Sequence, residues 1–416
     1  MKLFNKSFGK ILLAFTALIT SVFLLLSSKS IVNKPAINFN QNRFIYSGEY
    51  GLFIEIKDGL KFNWFTKETV EGVYELLKSD GSTIIKGETD QGKVHNFRMD
   101  LKIKNNVIFK FGGKNETIHE VILKPIPSLE KSSYNNVDSL FVIGDVHGRY
   151  DQLIHLMQKS NIIDKNLNWM AGEAHVVFLG DLFDRGSDVT KVLWFIYELE
   201  DKAEAAGGKV HLVLGNHEIM TMTKDLRYVS PKEMAIAGAF DKSYDELFHP
   251  TKSLLGAWLR SKPSVLKIDK AIFAHGGIVD LETGSVKGFN ELVHNYMEQP
   301  IYLDIMQDQP DSTKYDPIKW KQMRYFFYSE ESPFWYRGYV NSDTLAPQLK
   351  TMLRKYNSNV HIVAHTPLET ITQRYKGDLL TTDLKDAATQ LLLLVKKKRK
   401  YERFKIDSSG KVEELN

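Results

Sequence analysis

Cysteine is absent from all 416 residues. That excludes disulfide staples, thiolate zinc sites, a cysteine nucleophile and a lipidated-cysteine anchor, so any metal must be held by His, Asp, Glu or Asn. An excess of one charge is absent as well. The 55 basic and 51 acidic residues leave a net +4, too balanced for nucleic acid or an acidic surface to be the main partner. No internal repeat and no low-complexity tract interrupts the chain. The composition that remains, 43% apolar and 25% charged, is that of a globular protein, and the length fits roughly two or three domains.

Residues 1–30 read as an address. Lys2, Lys6 and Lys10 precede an uncharged apolar run at 11–26, long for a signal core and somewhat short of the roughly 20 residues that span a bilayer. Three lysines directly before the run argue against a buried core helix. Ser28 and Ser30 mark a cleavage site only faintly, so a cleaved signal peptide and an uncleaved anchor both stay open. Either implies export to a periplasmic or extracellular location, with 11–26 as the membrane tether in the second case.

Residues 41–125 read as a β-rich accessory domain, a small antiparallel sandwich of short alternating runs. Asp58-Gly59, Asp80-Gly81 and Gly112-Gly113 are placed as its turns, since hairpins need residues that tolerate positive φ. His95 and His119 stand alone there and read as packing or surface residues. A linker at 125–137, with Pro125, Pro127, Ser132 and Ser133, leads to an α/β domain at 138–410, where apolar strand-like runs alternate with helical periodicity. Near its end, 390–395 and 401–406 form a hairpin pattern whose basic tip, 396–400, reads as a solvated loop.

Five strand-like runs end in a polar residue able to hold a metal. The run 139–143 leads into Gly144-Asp145-Val146-His147-Gly148, and 175–179 into Gly180-Asp181-Leu182-Phe183-Asp184-Arg185-Gly186. The run 210–214 leads into Gly215-Asn216-His217-Glu218, 271–274 into His275-Gly276-Gly277, and 361–364 into His365-Thr366-Pro367. Ligands collect at the carboxyl ends of strands in open α/β sheets, glycines let the chain turn there, and oxygen and imidazole donors suit Mn, Fe and Zn. A single Gly-Asp-x-His is a weak signal; five in order point to a metal site.

This run of motifs resembles the calcineurin-like metallophosphoesterases, within them the phosphoprotein phosphatases, and most of all their bacterial Shewanella-like branch. The resemblance covers 138–410 and implies a four-layer αββα sandwich, here preceded by the small all-β sandwich-like domain. It implies two divalent ions (Mn, Fe or Zn, with Mn expected to serve in vitro). Asp145, His147 and a bridging Asp181 would hold one ion; Asp181, Asn216, His275 and His365 would hold the other. It further implies His217 as general acid, oriented by Asp184, and Arg185 as a phosphate clamp. The second phosphate-binding arginine falls to Arg337, in Trp335-Tyr336-Arg337-Gly338, because a guanidinium fork suits phosphate. Activated water would then attack phosphorus without a covalent intermediate, which fits a chain without cysteine.

Ile278-Val279-Asp280 stands where the eukaryotic protein phosphatases have Leu-Ser-Pro, and their Ser-Ala-Pro-Asn-Tyr block is missing. The substrate therefore stays open between a phosphorylated protein (Ser/Thr or Tyr) and a dinucleoside polyphosphate or other small phosphoester. A surface binding protein with a vestigial centre is a third reading, opposed by the complete donor set. Glu218 reads as a structural hydrogen-bonding group, Asp188 as a helix cap, His211 and His361 as packing residues, and the aromatic-rich 282–336 as a helical cap on the core. Oligomeric state is not legible.

Overall fold

The protein is described by a computed structural model covering residues 52–65, 71–91, 94–99, 104–114, 119–125, 128–398 and 400–415. The export segment at 1–30, the tether at 11–26 and the start of the accessory region at 41–51 lie outside the described residues.

The accessory region forms two antiparallel sheets. One is β1 (Phe53–Ile56), β2 (Leu60–Phe65) and β5 (Val94–Met99); the other is β3 (Glu71–Lys78), β4 (Thr83–Gln91), β6 (Val107–Gly113) and β7 (His119–Leu123), in the order β4-β3-β6-β7. Their inner faces carry aromatic side chains. Phe62 and Phe109 meet across the sheets at 4.4 Å between ring centroids, and Tyr74 stacks on Phe97 at 4.6 Å. His95 is buried in this core against Trp64 at 5.6 Å and bonds Thr89 Oγ1 at 2.6 Å. Asp58-Gly59 and Asp80-Gly81 do make the tight turns, with φ of 50° and 118° at the first pair and 82° at Gly81. Gly112-Gly113 does not: it lies inside β6, where Gly113 pairs with Gly72 and Gly112 with Val73 of β3. Glycine inside a strand is not distinguished from glycine in a turn by sequence alone.

The remainder is two six-stranded sheets laid face to face. The first runs β11 (Lys209–Leu212), β10 (His175–Phe178), β9 (Ser139–Ile143), β17 (Gln390–Lys397), β18 (Lys400–Asp407), β19 (Val412–Glu414). The second runs β15 (Thr372–Arg374), β16 (Leu379–Thr381), β14 (Val360–Val363), β13 (Ala271–Ala274), β12 (Val265–Ile268), β8 (Ser133–Tyr134). Strand alternation assigns neighbouring residues to different layers. Val142 and Val177 point between the sheets, into a core shared with Leu266, Phe273, Ile362 and Leu380. Ile143, Val176 and Phe178 point outward, to helices α1 (Tyr150–Lys159) and α2 (Val189–Ala205). Helix Val286–Met297 covers β12 of the other sheet. This is an αββα sandwich, in which each sheet is apolar on both faces and so must be covered twice.

The accessory sheets share their core with this sandwich. Leu52 carbonyl accepts the Trp194 indole N–H at 3.1 Å, and the Ile56 amide donates to Lys252 carbonyl at 2.7 Å. The deepest charge at the junction is Lys262, whose side chain is fully buried. Its ammonium lies 2.6 Å from Glu200 and also bonds Glu130, just before β8. Burial opposes that charge, but Glu200 and Glu130 outweigh it and hold the ammonium above its ordinary value. Removing one partner of a buried pair strands the other. We expect Lys262→Met to lower stability by about 3 kcal/mol in urea unfolding at pH 7; a loss under about 1 kcal/mol would mean that Lys124, 3.2 Å from Glu200, neutralises it alone.

Candidate metal centre

All five motif loops leave strands at one end of the sandwich, after β9, β10, β11, β13 and β14. Sharp turns aim their side chains inward. His147, Asp181, Asp184, Arg185 and His365 adopt φ of 48°, 51°, 68°, 62° and 66°, a region that non-glycine residues enter at a cost of roughly 1–3 kcal/mol each. The loops also interlock. A Cβ on Gly180 (φ 84°) would sit 2.4 Å from the Gly215 amide nitrogen, and one on Gly215 would sit 2.3 Å from Asp181 Oδ1. Glycine at both positions is what lets the second and third motifs touch.

Glu218 locks this contact. It is fully buried, and its carboxylate accepts the amide hydrogens of Asp181 (2.9 Å), Leu182 (2.7 Å) and Gly215 (2.7 Å). The structural part assigned to it from the sequence is the part it plays: it braces the Asp181 turn.

The six residues expected to hold metal converge. His147 Nε2 lies 3.4 Å from Asp145 Oδ2 and 3.9 Å from Asp181 Oδ2. Around His275 Nε2 stand Asn216 Oδ1 at 2.9 Å, His365 Nδ1 at 3.1 Å and Asp181 Oδ2 at 3.2 Å. Asp145 Oδ1 closes the ring by accepting the His365 amide at 3.2 Å. Outer-sphere bonds orient the imidazoles: His147 Nδ1–H donates to Phe183 carbonyl at 2.8 Å and His275 Nδ1–H to Leu179 carbonyl at 2.6 Å. Each Nε2 is thereby aimed into the ring, where it offers a lone pair to a metal ion once that ion displaces its proton.

This donor set fits divalent cations. His147 Nε2 and His365 Nε2 are buried and make no hydrogen bond, and acceptors crowded together in a buried site favour positive charge between them. The electrostatics agree. Burial opposes the Asp181 charge, yet His275 and His217 outweigh it and hold the carboxyl well below its ordinary range. Burial likewise lowers His275, and Asp181 more than reverses this, pushing it up to about 10. His365, desolvated and beside His275, falls to about 2 and stays neutral.

The expected catalytic groups border the ring. His217 Nδ1–H donates to Asp184 Oδ2 at 2.5 Å, and its Nε2 lies 3.7 Å from Asp181 Oδ2. Arg337, half-buried, donates to the His365 carbonyl and stands 3.5 Å from its Nδ1. Arg185 is exposed on the same loop as Asp184, its amide donating to Tyr228 carbonyl at 2.9 Å.

The calcineurin-like phosphoesterase family model matches residues 139–381, more than half of the chain. The chain belongs to that family. As a calcineurin-like phosphoesterase it is a metal-dependent hydrolase of phosphate esters that works with divalent cations. It is 26% identical over 309 residues to Shewanella-like protein phosphatase 1 of Plasmodium berghei, covering 71% of this chain and 76% of that one. The crystal structure of a cold-active protein-tyrosine phosphatase from a psychrophilic Shewanella superposes with a TM-score of 0.68 at 27% identity, over 88% of this chain and 99% of the other. A symmetrical bis(5'-nucleosyl)-tetraphosphatase of Wigglesworthia glossinidia brevipalpis is 36% identical over 159 residues, 36% of this chain and 50% of its own length.

One buried acid of this phosphoesterase escaped the sequence reading. Asp383, 4% exposed, follows β16, and burial together with the charge of Asp145 pushes its carboxyl up to about 8. The signal was present: Leu379-Leu380-Thr381-Thr382-Asp383 repeats the strand-then-acid pattern of the other motifs, without their glycine. One bland reading needs revision, that of Asp188, and two hold, those of His361 and His211. Asp188 occupies the position before α2, but its carboxylate bonds Lys232 at 2.6 Å; Glu233 takes the Thr190 amide of that helix instead, at 3.1 Å. His361 is buried and braced, donating to Ile272 carbonyl at 3.0 Å while its Nε2 accepts the Ile278 amide at 3.1 Å, behind the His275 loop. His211 packs as expected, edge-on to Tyr134 at 4.7 Å and bonded to His175 at 2.9 Å.

Glu218→Ala strips three buried amides of their acceptor. We expect a stability loss of at least about 3 kcal/mol, from roughly 1–3 kcal/mol per stranded donor, together with weakened metal uptake; calorimetric unfolding and metal titration on one sample check both. Unchanged metal affinity in a folded variant would show that the Asp181 turn holds without the brace.

Proposed function

We propose that this phosphoesterase is an exported two-metal phosphomonoester hydrolase that acts on phosphorylated proteins, at Ser/Thr or Tyr. The observation that carries the reading is one polar ring assembled from five loops, with an acid–imidazole pair and two arginines on its border. Asp145, His147 and Asp181 would hold one cation, and Asp181, Asn216, His275 and His365 the other, with Mn the first ion to supply in vitro. When bound, such a pair lowers the pKa of water towards neutrality and neutralises phosphate oxygens. The chain's own residues do the rest. Arg185 and Arg337 draw the phosphate in and balance charge on its equatorial oxygens. His217 delivers a proton from Nε2 to the departing oxygen, and Asp184, bonded to Nδ1 at 2.5 Å, fixes that tautomer and supports the charged imidazole.

Protein substrates are favoured because the likeness to protein phosphatases runs along most of both chains. The likeness to the tetraphosphatase stops at half of that enzyme's length, and keeps a dinucleoside polyphosphate as the second reading. Export rests on Lys2, Lys6, Lys10 and the apolar run 11–26; among the described residues no helix is long and apolar enough to cross a membrane.

Asp181→Asn is expected to cut Mn-dependent p-nitrophenyl phosphate turnover by about a hundredfold or more and to lower bound metal in elemental analysis. Full activity would sink the site assignment. Side-by-side turnover of phosphopeptides and diadenosine tetraphosphate separates the two substrate readings, a preference for the nucleotide reversing the choice made here. For export, fractionation with amino-terminal sequencing should find the protein outside the cytoplasm, either shortened near residue 30 or intact in the membrane; an intact cytoplasmic chain refutes it.

A further inference from the structure

Tyr228 is an exposed aromatic ring placed where a core residue would not be. It is 49% exposed, yet its ring centroid lies 5.6 Å from the His217 imidazole, the planes inclined by 52°. The other imidazole against His217, that of His147 at 4.8 Å, is buried. Tyr228 is also fastened in place. Its carbonyl accepts the Arg185 amide at 2.9 Å, tying it to the phosphate-clamp loop. Its neighbour Arg227 stands 5.6 Å from the ring and is itself gripped by Asp225 through two bonds of 2.7 Å.

We propose that Tyr228 is the leaving-group wall of the site and selects esters of aryl alcohols over esters of alkyl alcohols. The inference rests on the reading of His217 as the general acid. The departing oxygen must come within reach of His217 Nε2, so whatever that oxygen carries extends from there towards solvent. The solvent-exposed ring that packs against His217 is Tyr228. A phenyl leaving group offers it a flat face, and offset or edge-to-face pairing of two rings gains energy beyond simple area burial. A seryl methylene offers neither the area nor the quadrupole. Arg227, held near the ring by Asp225, adds a cation that a second aromatic group would also face. Tyr228 forms no bond to the reacting atoms: it is a specificity residue, whose effect lies in the ratio between substrates.

The test uses the full chain with Mn supplied, as wild type, Tyr228→Ala and Tyr228→Phe. The readout is kcat/KM for phenyl phosphate against glycerol phosphate, and for one peptide in phosphotyrosyl and phosphoseryl forms. Tyr228→Ala should lower the aryl values by about three- to tenfold while the alkyl values change less than twofold. Tyr228→Phe, which keeps the ring, should restore the wild-type ratio, and a merely structural defect in Tyr228→Ala would lower aryl and alkyl values alike. Equal losses on aryl and alkyl esters, or an unchanged ratio in Tyr228→Ala, would overturn the proposal. Because the small monoesters give the ratio by themselves, a chain that cleaves them but neither peptide revises the protein-substrate reading while the ratio still judges Tyr228.

Discussion

The carboxylate of Asp181 is the point on which the remaining arrangement depends. It is buried, it is anionic, and three imidazole nitrogens stand within 4 Å of it. Burying such a charge is costly unless it is paired and hydrogen-bonded, and here both conditions are met from distant parts of the chain. The imidazoles come from the first, third and fourth motifs, and its other oxygen accepts the His217 amide at 3.0 Å. The same crowding of lone pairs that would be unfavourable in an apolar core is the requirement of a site for divalent cations.

Holding that carboxylate requires a left-handed backbone at several non-glycine positions and a brace behind them. Glu218 supplies the brace, and the glycine contact between the second and third loops supplies the room. The strain is carried by what lies beneath: two sheets whose inner faces share a largely apolar core, each backed by helices. A rigid apolar layer under strained polar loops is a physical division of labour, in which packing energy is spread widely and strain is concentrated where chemistry happens.

The rim is built on a different principle. Tyr228, Arg185 and Arg337 come from loops that are at least partly open to solvent, and Trp335 of the aromatic cap meets His365 edge-on at 5.7 Å. On the proposed mechanism the floor acts on the bond to phosphorus and the rim meets what is attached to it. The aromatic-rich stretch at 282–336 does form helices packed on the core, with Phe289, Trp320 and Phe327 buried, but through Trp335 it also reaches the site.

The residues that converge in the candidate site, their order and their position at strand ends were legible in the sequence, because each is an acid, amide or imidazole held in a short turn directly after an apolar run. So were the alternation of strands with helices and the β-rich region before it, since periodicity is a local property, whereas the two-sheet sandwich was implied by the family resemblance. The tertiary structure alone decided what depends on faces meeting across long stretches of chain. Only there does Glu218 reach the Asp181 turn, does Asp383 come under the field of Asp145, does Gly112 lie opposite Val73 rather than in a turn, and does Tyr228 stand over His217. Local pattern fixes what a residue can do; the packing of distant strands determines what it faces, and no spacing rule encodes that.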